Sequence, residues 1–343
     1  MADCTGSSTT VNPPLSSSPQ PDDDLWFKDG NVILVAGDTK FRFYKGLLTT
    51  HSPVFEEMLS LPHPESDSAA VDGSCPVIRL DVSPVNLKCF LQHIPLGRTL
   101  TRYQNDHLFE CSHHALTHAP YSLREPSFDE IHACILLARK YDFRQIFKQY
   151  LEYLQKFYPS QLESLDPDLL PSNPPGFLPI HCIGIVNLAR SIGEDSLLPV
   201  ALARCMPIHH SELSVGFLRA DGVREVLSSE DIVRVLVAQK DLTQTYRRIE
   251  HELFTPGRFS VCDSCKSILR SLYGTWVAAS ESRAALDPLR LLHVYVELLD
   301  KQRHNSRAHC KDCYYRMVQT AKRAQKEILI GLPTTMGVVK VRD

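Results

Sequence analysis

The sequence predicts an α+β protein: a small N-terminal sheet capped by helices, followed by an all-helical C-terminal part. Three observations carry this. "NVILVA" (31–36) and "TKFRFY" (39–44) read as two strands joined by Gly37-Asp38. From Leu47 the apolar residues change from alternate to helical spacing, at Leu47, Leu48, Val54, Phe55, Met58 and Leu59. Beyond the Pro-rich stretch that ends at Pro179, the apolar residues fall predominantly at helical spacing.

Taken in order, residues 1–23 are rich in Ser, Thr and Pro and end in an acidic run. So few apolar groups cannot offset the entropy of ordering, and a disordered arm is expected. Order should begin near Leu25. The run 31–36 is apolar throughout, as in a strand buried on both faces, whereas 39–44 alternates Phe41 and Phe43 with Lys40 and Arg42. Ser52-Pro53 supplies an N-cap and a first-turn proline for the helix "VFEEMLSL". "PVIRLDV" (76–82) reads as a third strand, and Ser83-Pro84 repeats the cap for "VNLKCFLQHI". Ser127 and Glu130 stand at capping-box spacing before a helix over 127–143, and another helix runs from Arg144 to Phe157.

This order of elements resembles the BTB/POZ domain. In that family a strand bearing F-x-x-x-K/R-x-x-L leads into L-x-x-x-S-x-x-F-x-x-M, matched here by Phe41, Lys45, Leu48, Ser52, Phe55 and Met58. "LWFKDGN" and features near the C-terminus are similar to BTB proteins of mushroom-forming fungi. The resemblance covers residues 24–157. It departs from the pattern at 95–126, a long segment that reads as either a lineage-specific insertion or translated intron and is expected to be poorly ordered. The resemblance implies a docking module that homodimerises through its N-terminal segment and first long helix. It also implies outer helices that offer a cullin-type ubiquitin-ligase scaffold a place to bind. Leu25 and Trp26, large apolar residues beside the arm, are the candidate interface anchors.

A Pro-rich linker is expected over 158–179 and a helical domain over 180–343. Within it, "IHCIGIVNLARSIG" and "SLLPVALARCM" read as two short helices joined around Gly193. Ser228 and Asp231 open a long helix with an apolar stripe of Ile232, Val235, Leu236, Leu242, Ile249 and Leu253. Asp287-Pro288 opens a further helix, "LRLLHVYVELL". The tail "ILIGLPTTMGV" keeps Leu332, Pro333 and Gly337 of the fungal pattern but lacks its aromatic residues.

The strongest chemical signal is "CDSC" (262–265) with "CKDC" (310–313). Two Cys-x-x-Cys knuckles offer four thiolates, the number that encloses one structural Zn²⁺. The spacing between knuckles is longer than in a zinc ribbon, so the site would be built between helices, with His304 and His309 as reserve ligands. Zinc bound by Cys262, Cys265, Cys310 and Cys313 is the favoured reading. Unligated thiols at helix starts are the alternative, and redox chemistry lacks the βαβ context it needs. Two further clusters read as incidental. Cys111, His113, His114 and His118 lie in the suspect insertion, and the eight Lys or Arg between 301 and 326 are spread around their helix.

Composition sets the remaining limits. The 343 residues carry a net charge of −3, which argues against a generally basic nucleic-acid binder. No signal peptide or transmembrane run is found, which points to the cytosol or nucleus and to reduced cysteines. No phosphate loop, nucleophile elbow or H-E-x-x-H stretch occurs, and no catalytic residue is proposed. The sequence therefore reads as a self-associating adaptor with a zinc-stapled helical domain. Its alternative is a nuclear regulator whose basic, zinc-bearing helices contact DNA.

Overall fold

A computed structural model describes residues 18–61, 71–72, 75–94, 125–162, 172–254, 261–280, 291–306 and 310–338. The chain is α+β, a small N-terminal sheet and a helical C-terminal part, and it divides into two compact units, 1–97 and 98–343. The helices at 128–140 and 144–157, which sequence resemblance joins to the first part, group with the second unit.

Among the described residues the first unit is a five-stranded sheet with three helices. Its strands are β1 (Gln20–Trp26), β2 (Val32–Ala36), β3 (Thr39–Phe43), β4 (Val71–Asp72) and β5 (Cys75–Arg79), in the order β1-β3-β2-β5-β4. The β2–β3 hairpin forms as its pattern predicts, with Val35 opposite Lys40 and the turn made by Gly37 at φ +55°. Every residue of β2 is buried, the outcome expected of a central strand with an unbroken apolar run. Helices α1 (Lys45–His51), α2 (Pro53–Ser60) and α3 (Pro84–Leu91) follow, the last two starting at the prolines of the predicted Ser-Pro pairs. The Ser52 hydroxyl accepts from the Phe55 amide at 3.0 Å, and Phe55 itself is fully buried.

Order begins earlier than expected. β1 starts at Gln20 and runs parallel to β3, with an irregularity in register between Pro21 and Trp26. The reason lies in the acidic run. Asp22 Oδ1 accepts from the amides of Asp24 (3.0 Å) and Leu25 (2.9 Å). Lys88 Nζ from α3 reaches Asp22 at 3.0 Å and Asp24 at 2.6 Å. Carboxylates that suggest a solvated tail are here turn-formers tied down by one lysine. Leu25 is buried within its own unit, and Trp26, partly exposed, packs against Ile33, Val35 and Cys75. Residues 1–17 of the expected arm and 95–124 of the expected insertion lie outside the described residues.

In the second unit, α4 (Phe128–Lys140) opens with the capping box the sequence predicts. Glu130 N donates to Ser127 Oγ at 3.3 Å, and Ser127 N donates to Glu130 Oε2 at 2.7 Å. Then come α5 (Arg144–Phe157), α6 (His181–Ile192), a 3-10 turn at Asp195–Leu197, α7 (Leu198–Cys205) and α8 (His210–Val215). Gly184 lets α6 approach α4: a β-carbon there would stand 2.2 Å from the Phe128 ring. A short hairpin, β6 (Phe217–Leu218) with β7 (Arg224–Glu225), then intervenes.

That hairpin carries a buried polar network. The Arg219 guanidinium pairs with Asp221 (2.8 Å) and with Glu225, and also lies 3.0 Å from His132 Nε2 on α4. Asn187 on α6 donates to Glu225 Oε2 at 2.6 Å and to the Val226 carbonyl at 2.9 Å. Burial and the Arg219 charge together depress the His132 pKa to about 4.

Four longer helices complete the unit: α9 (Ser229–Phe254), α10 (Asp263–Ser280), α11 (Leu291–Ser306) and α12 (Lys311–Thr335). On α9 the buried stripe is Asp231, Val235, Ala238, Leu242, Ile249 and Leu253. Leu236, expected within it, is 43% exposed, because 100° per residue carries it away from the line through Val235 and Leu242. The tail docks without the aromatic residues of the fungal pattern. Leu332 and Met336 are fully buried, and Arg234 Nη1 donates to the Gly337 carbonyl at 2.6 Å.

Candidate metal centre

The two knuckles occupy equivalent places in two helices. Cys262 directly precedes α10 and its carbonyl accepts from the Lys266 amide at 3.0 Å; Cys310 is the N-cap of α12 and its carbonyl accepts from Tyr314 at 3.0 Å. Cys265 and Cys313 therefore fall at the third helical position. Each is also the first member of a buried stripe. On α10 the stripe is Cys265, Leu269, Leu272 and Trp276; on α12 it is Cys313, Met317, Ala321 and Ala324. Packing these stripes in one core brings the inner cysteines together, and the outer cysteines follow three residues earlier on the same faces.

All four sulfurs lie within 4.8 Å of one another. Cys262 Sγ stands 3.9 Å from Cys310 Sγ and 3.8 Å from Cys313 Sγ. Four sulfurs held tetrahedrally at about 2.3 Å from a common centre would be about 3.8 Å apart. A disulfide would need roughly 2.05 Å, and the four thiols are free. The group can hold one metal ion. Cys265 and Cys313 are buried, while Cys262 and Cys310 are exposed, so the centre sits at the edge of the helical core with one side toward solvent.

The backbone favours negative charge here. Cys262 N donates to Cys313 Sγ at 3.4 Å, and the Cys310 amide makes the reciprocal bond to Cys265. The Cys265 amide turns back onto Cys262 and is the main reason that thiol is lowered to about 7. Burial acts the other way on the inner pair, raising Cys265 to about 12 and Cys313 above its ordinary value. A divalent cation resolves that conflict, since it deprotonates a coordinating thiol outright. Two helix N-termini converging on the site add the positive ends of their dipoles.

Aromatic packing ties α9 to α10 and α11 further along these helices. Phe254 lies 5.3 Å from Tyr273, 5.7 Å from Trp276 and 5.5 Å from Tyr295, joining the ends of α9, α10 and α11. The reserve ligands do not enter this account: the His304 side chain and all of His309 lie outside the described residues, as do Cys111, His113, His114 and His118. On α12, Arg316, Arg323 and Lys326 are exposed with Asp312 and Glu327 among them, and Arg248 pairs with Glu327. The sequence placed the cysteines at helix starts and the site between helices but not the amide-to-sulfur bonds; the N-cap position of each outer cysteine is the signal that could have found them. Among the described residues no helix is long and apolar enough to cross a membrane. No protein-family model, curated protein or solved structure matches the chain.

Proposed function

We propose that this chain is a non-catalytic protein–protein interaction protein whose helical unit is stapled by one structural Zn²⁺. The observation that carries the zinc is that the Cys262, Cys265, Cys310 and Cys313 sulfurs all lie within 4.8 Å of one another, with Cys262 at 3.9 Å from Cys310 and 3.8 Å from Cys313. Four protein thiolates leave no open coordination position, which favours a structural role over a catalytic one. The adaptor role rests on the BTB/POZ resemblance of the first unit. By that resemblance it forms homodimers and offers a cullin-type scaffold a docking surface, in the cytosol or nucleus. Trp26, half-buried on β1, is the residue proposed to touch a partner, whereas Leu25 is buried.

The test is metal content and native mass of the purified protein. One zinc per chain, lost in Cys265→Ser or Cys313→Ser, is the expected result, together with a native mass of at least two chains. A metal-free monomer would overturn the proposal. DNA binding that weakens steeply with salt would favour the chromatin reading instead.

A further inference from the structure

Thirteen large apolar side chains are exposed among the described residues, and seven of them fall between Val215 and Val237. A contiguous exposed apolar patch marks an interaction site more often than scattered exposure does. Three lie on α9, Val233 at 58%, Leu236 at 43% and Val237 at 50% exposed. At 3.6 residues per turn they occupy the side of the helix opposite Val235, Ala238 and Leu242, which face the core. The helix is therefore apolar on both sides over its first three turns, although only one side is covered.

The charges flanking this stripe say what fits it. Glu230 lies before the apolar residues and Lys240 after them, both exposed. The arrangement is symmetric about residue 235: Val233 and Val237 stand two residues to either side, Glu230 and Lys240 five. In a twofold interface each residue i meets j while j meets i. An antiparallel pair of α9 helices crossing at residue 235 sets Val233 against Val237 of the partner subunit, with Leu236 beside the axis. The same register sets Glu230 against Lys240 of the partner subunit, twice. Lys240 has no ion-pair partner among the described residues, and Glu230 pairs with Arg234 of its own helix while its charge also reaches Arg190. A parallel pair would instead set Glu230 against Glu230 and Lys240 against Lys240.

We infer that the outer face of α9 is a self-association surface whose partner is a second copy of this chain, docked antiparallel through Val233, Leu236 and Val237. The stripe alone is smaller than the roughly 800 Å² per partner of a standard interface. The four other exposed apolar residues of the cluster, in the chain immediately before α9, are the candidates for the remainder. The surface is separate from any dimer made by the first unit.

The test is sedimentation velocity of the full-length protein, wild type and variants at equal micromolar concentration. Val237→Glu places a charge within the stripe, opposite Val233 of the partner subunit, and should lower the wild-type mass with the helical circular dichroism unchanged. Lys240→Glu and Glu230→Lys each put like charges opposite one another and should also lower the mass. An equimolar mixture of these two variants restores both opposite-charge pairs and should regain the wild-type mass. Wild-type mass in Val237→Glu, or a mixture no heavier than its components, would overturn the inference. The N-terminal dimer is judged separately by whether Val237→Glu itself is a dimer or a monomer.

Discussion

The amide of Cys262 donates to the sulfur of Cys313 across 3.4 Å, tying the first residue of one knuckle to the last of the other. That bond crosses between the starts of α10 and α12, so the centre fastens two helices that are far apart in sequence. Its energetic consequence is direct. A ligand that binds only the folded form stabilises it by about 4 kcal/mol when free at a thousand times its Kd. Chelation of the metal should therefore lower the melting temperature by several degrees and lose helical signal. The check is thermal unfolding with and without a strong zinc chelator; coincident curves would argue against a bound metal.

Gly184 should not tolerate a side chain. Its added β-carbon would meet the Phe128 ring at 2.2 Å, well inside contact distance, and Phe128 is buried. Gly184→Ala should destabilise the second unit by about 1–3 kcal/mol, the range for overpacked cores. The helix propensity of alanine works in the opposite direction by about 1 kcal/mol, so a net loss would show that packing dominates. Urea midpoints of the two proteins settle it.

His132 makes stability depend on pH. Its pKa is lowered to about 4 in the folded chain, against 6.5 when unfolded. Above pH 6.5 both states are neutral and nothing is lost. Between pH 6.5 and 4 the unfolded chain takes up a proton that the folded chain refuses, so stability falls as pH falls, by roughly 3 kcal/mol in all. His132→Gln should flatten this part of the profile, measured as urea unfolding at half-unit pH steps.

Asp22 is expected to hold β1 in place. It accepts two backbone amides and receives Lys88, so Asp22→Ala removes three interactions at one end of the strand. Bonds to a charged acceptor contribute about 1.5–3 kcal/mol each, which suffices to open an edge strand without unfolding the sheet. Hydrogen exchange should accelerate at least tenfold in residues 20–26 and remain unchanged in β2.

Periodicity and caps foretold most of the helices and the β2–β3 hairpin. Ser52, Ser127 and Gly193 each acts where local chemistry alone decides the outcome. The four cysteines were legible because knuckle spacing is a strong pattern. What was hidden depends on distant partners. Asp22 reads as solvent-facing until Lys88, 66 residues later, is placed beside it. The β6–β7 hairpin has two residues per strand, too few for an alternating pattern, and it stands on Arg219 reaching back to His132. Leu236 reads as core because apolar residues cover more than one side of α9, and sequence spacing cannot say which side is met by α7 and α12.

The long interval between the knuckles also bears on how the chain reaches its native state. Cys265 and Cys310 are separated by the 44 residues 266–309, so a metal bound to both knuckles closes a large ring. Cross-linking a ring of that size removes about 4 kcal/mol of loop entropy from the unfolded ensemble. A denatured chain that keeps its metal starts refolding with the two helix starts already joined. One that has lost its metal must either recapture an ion first or bring the knuckles together by diffusion of the intervening chain. Refolding from the two states should differ in order: independent of added zinc in the first, and faster with rising zinc in the second.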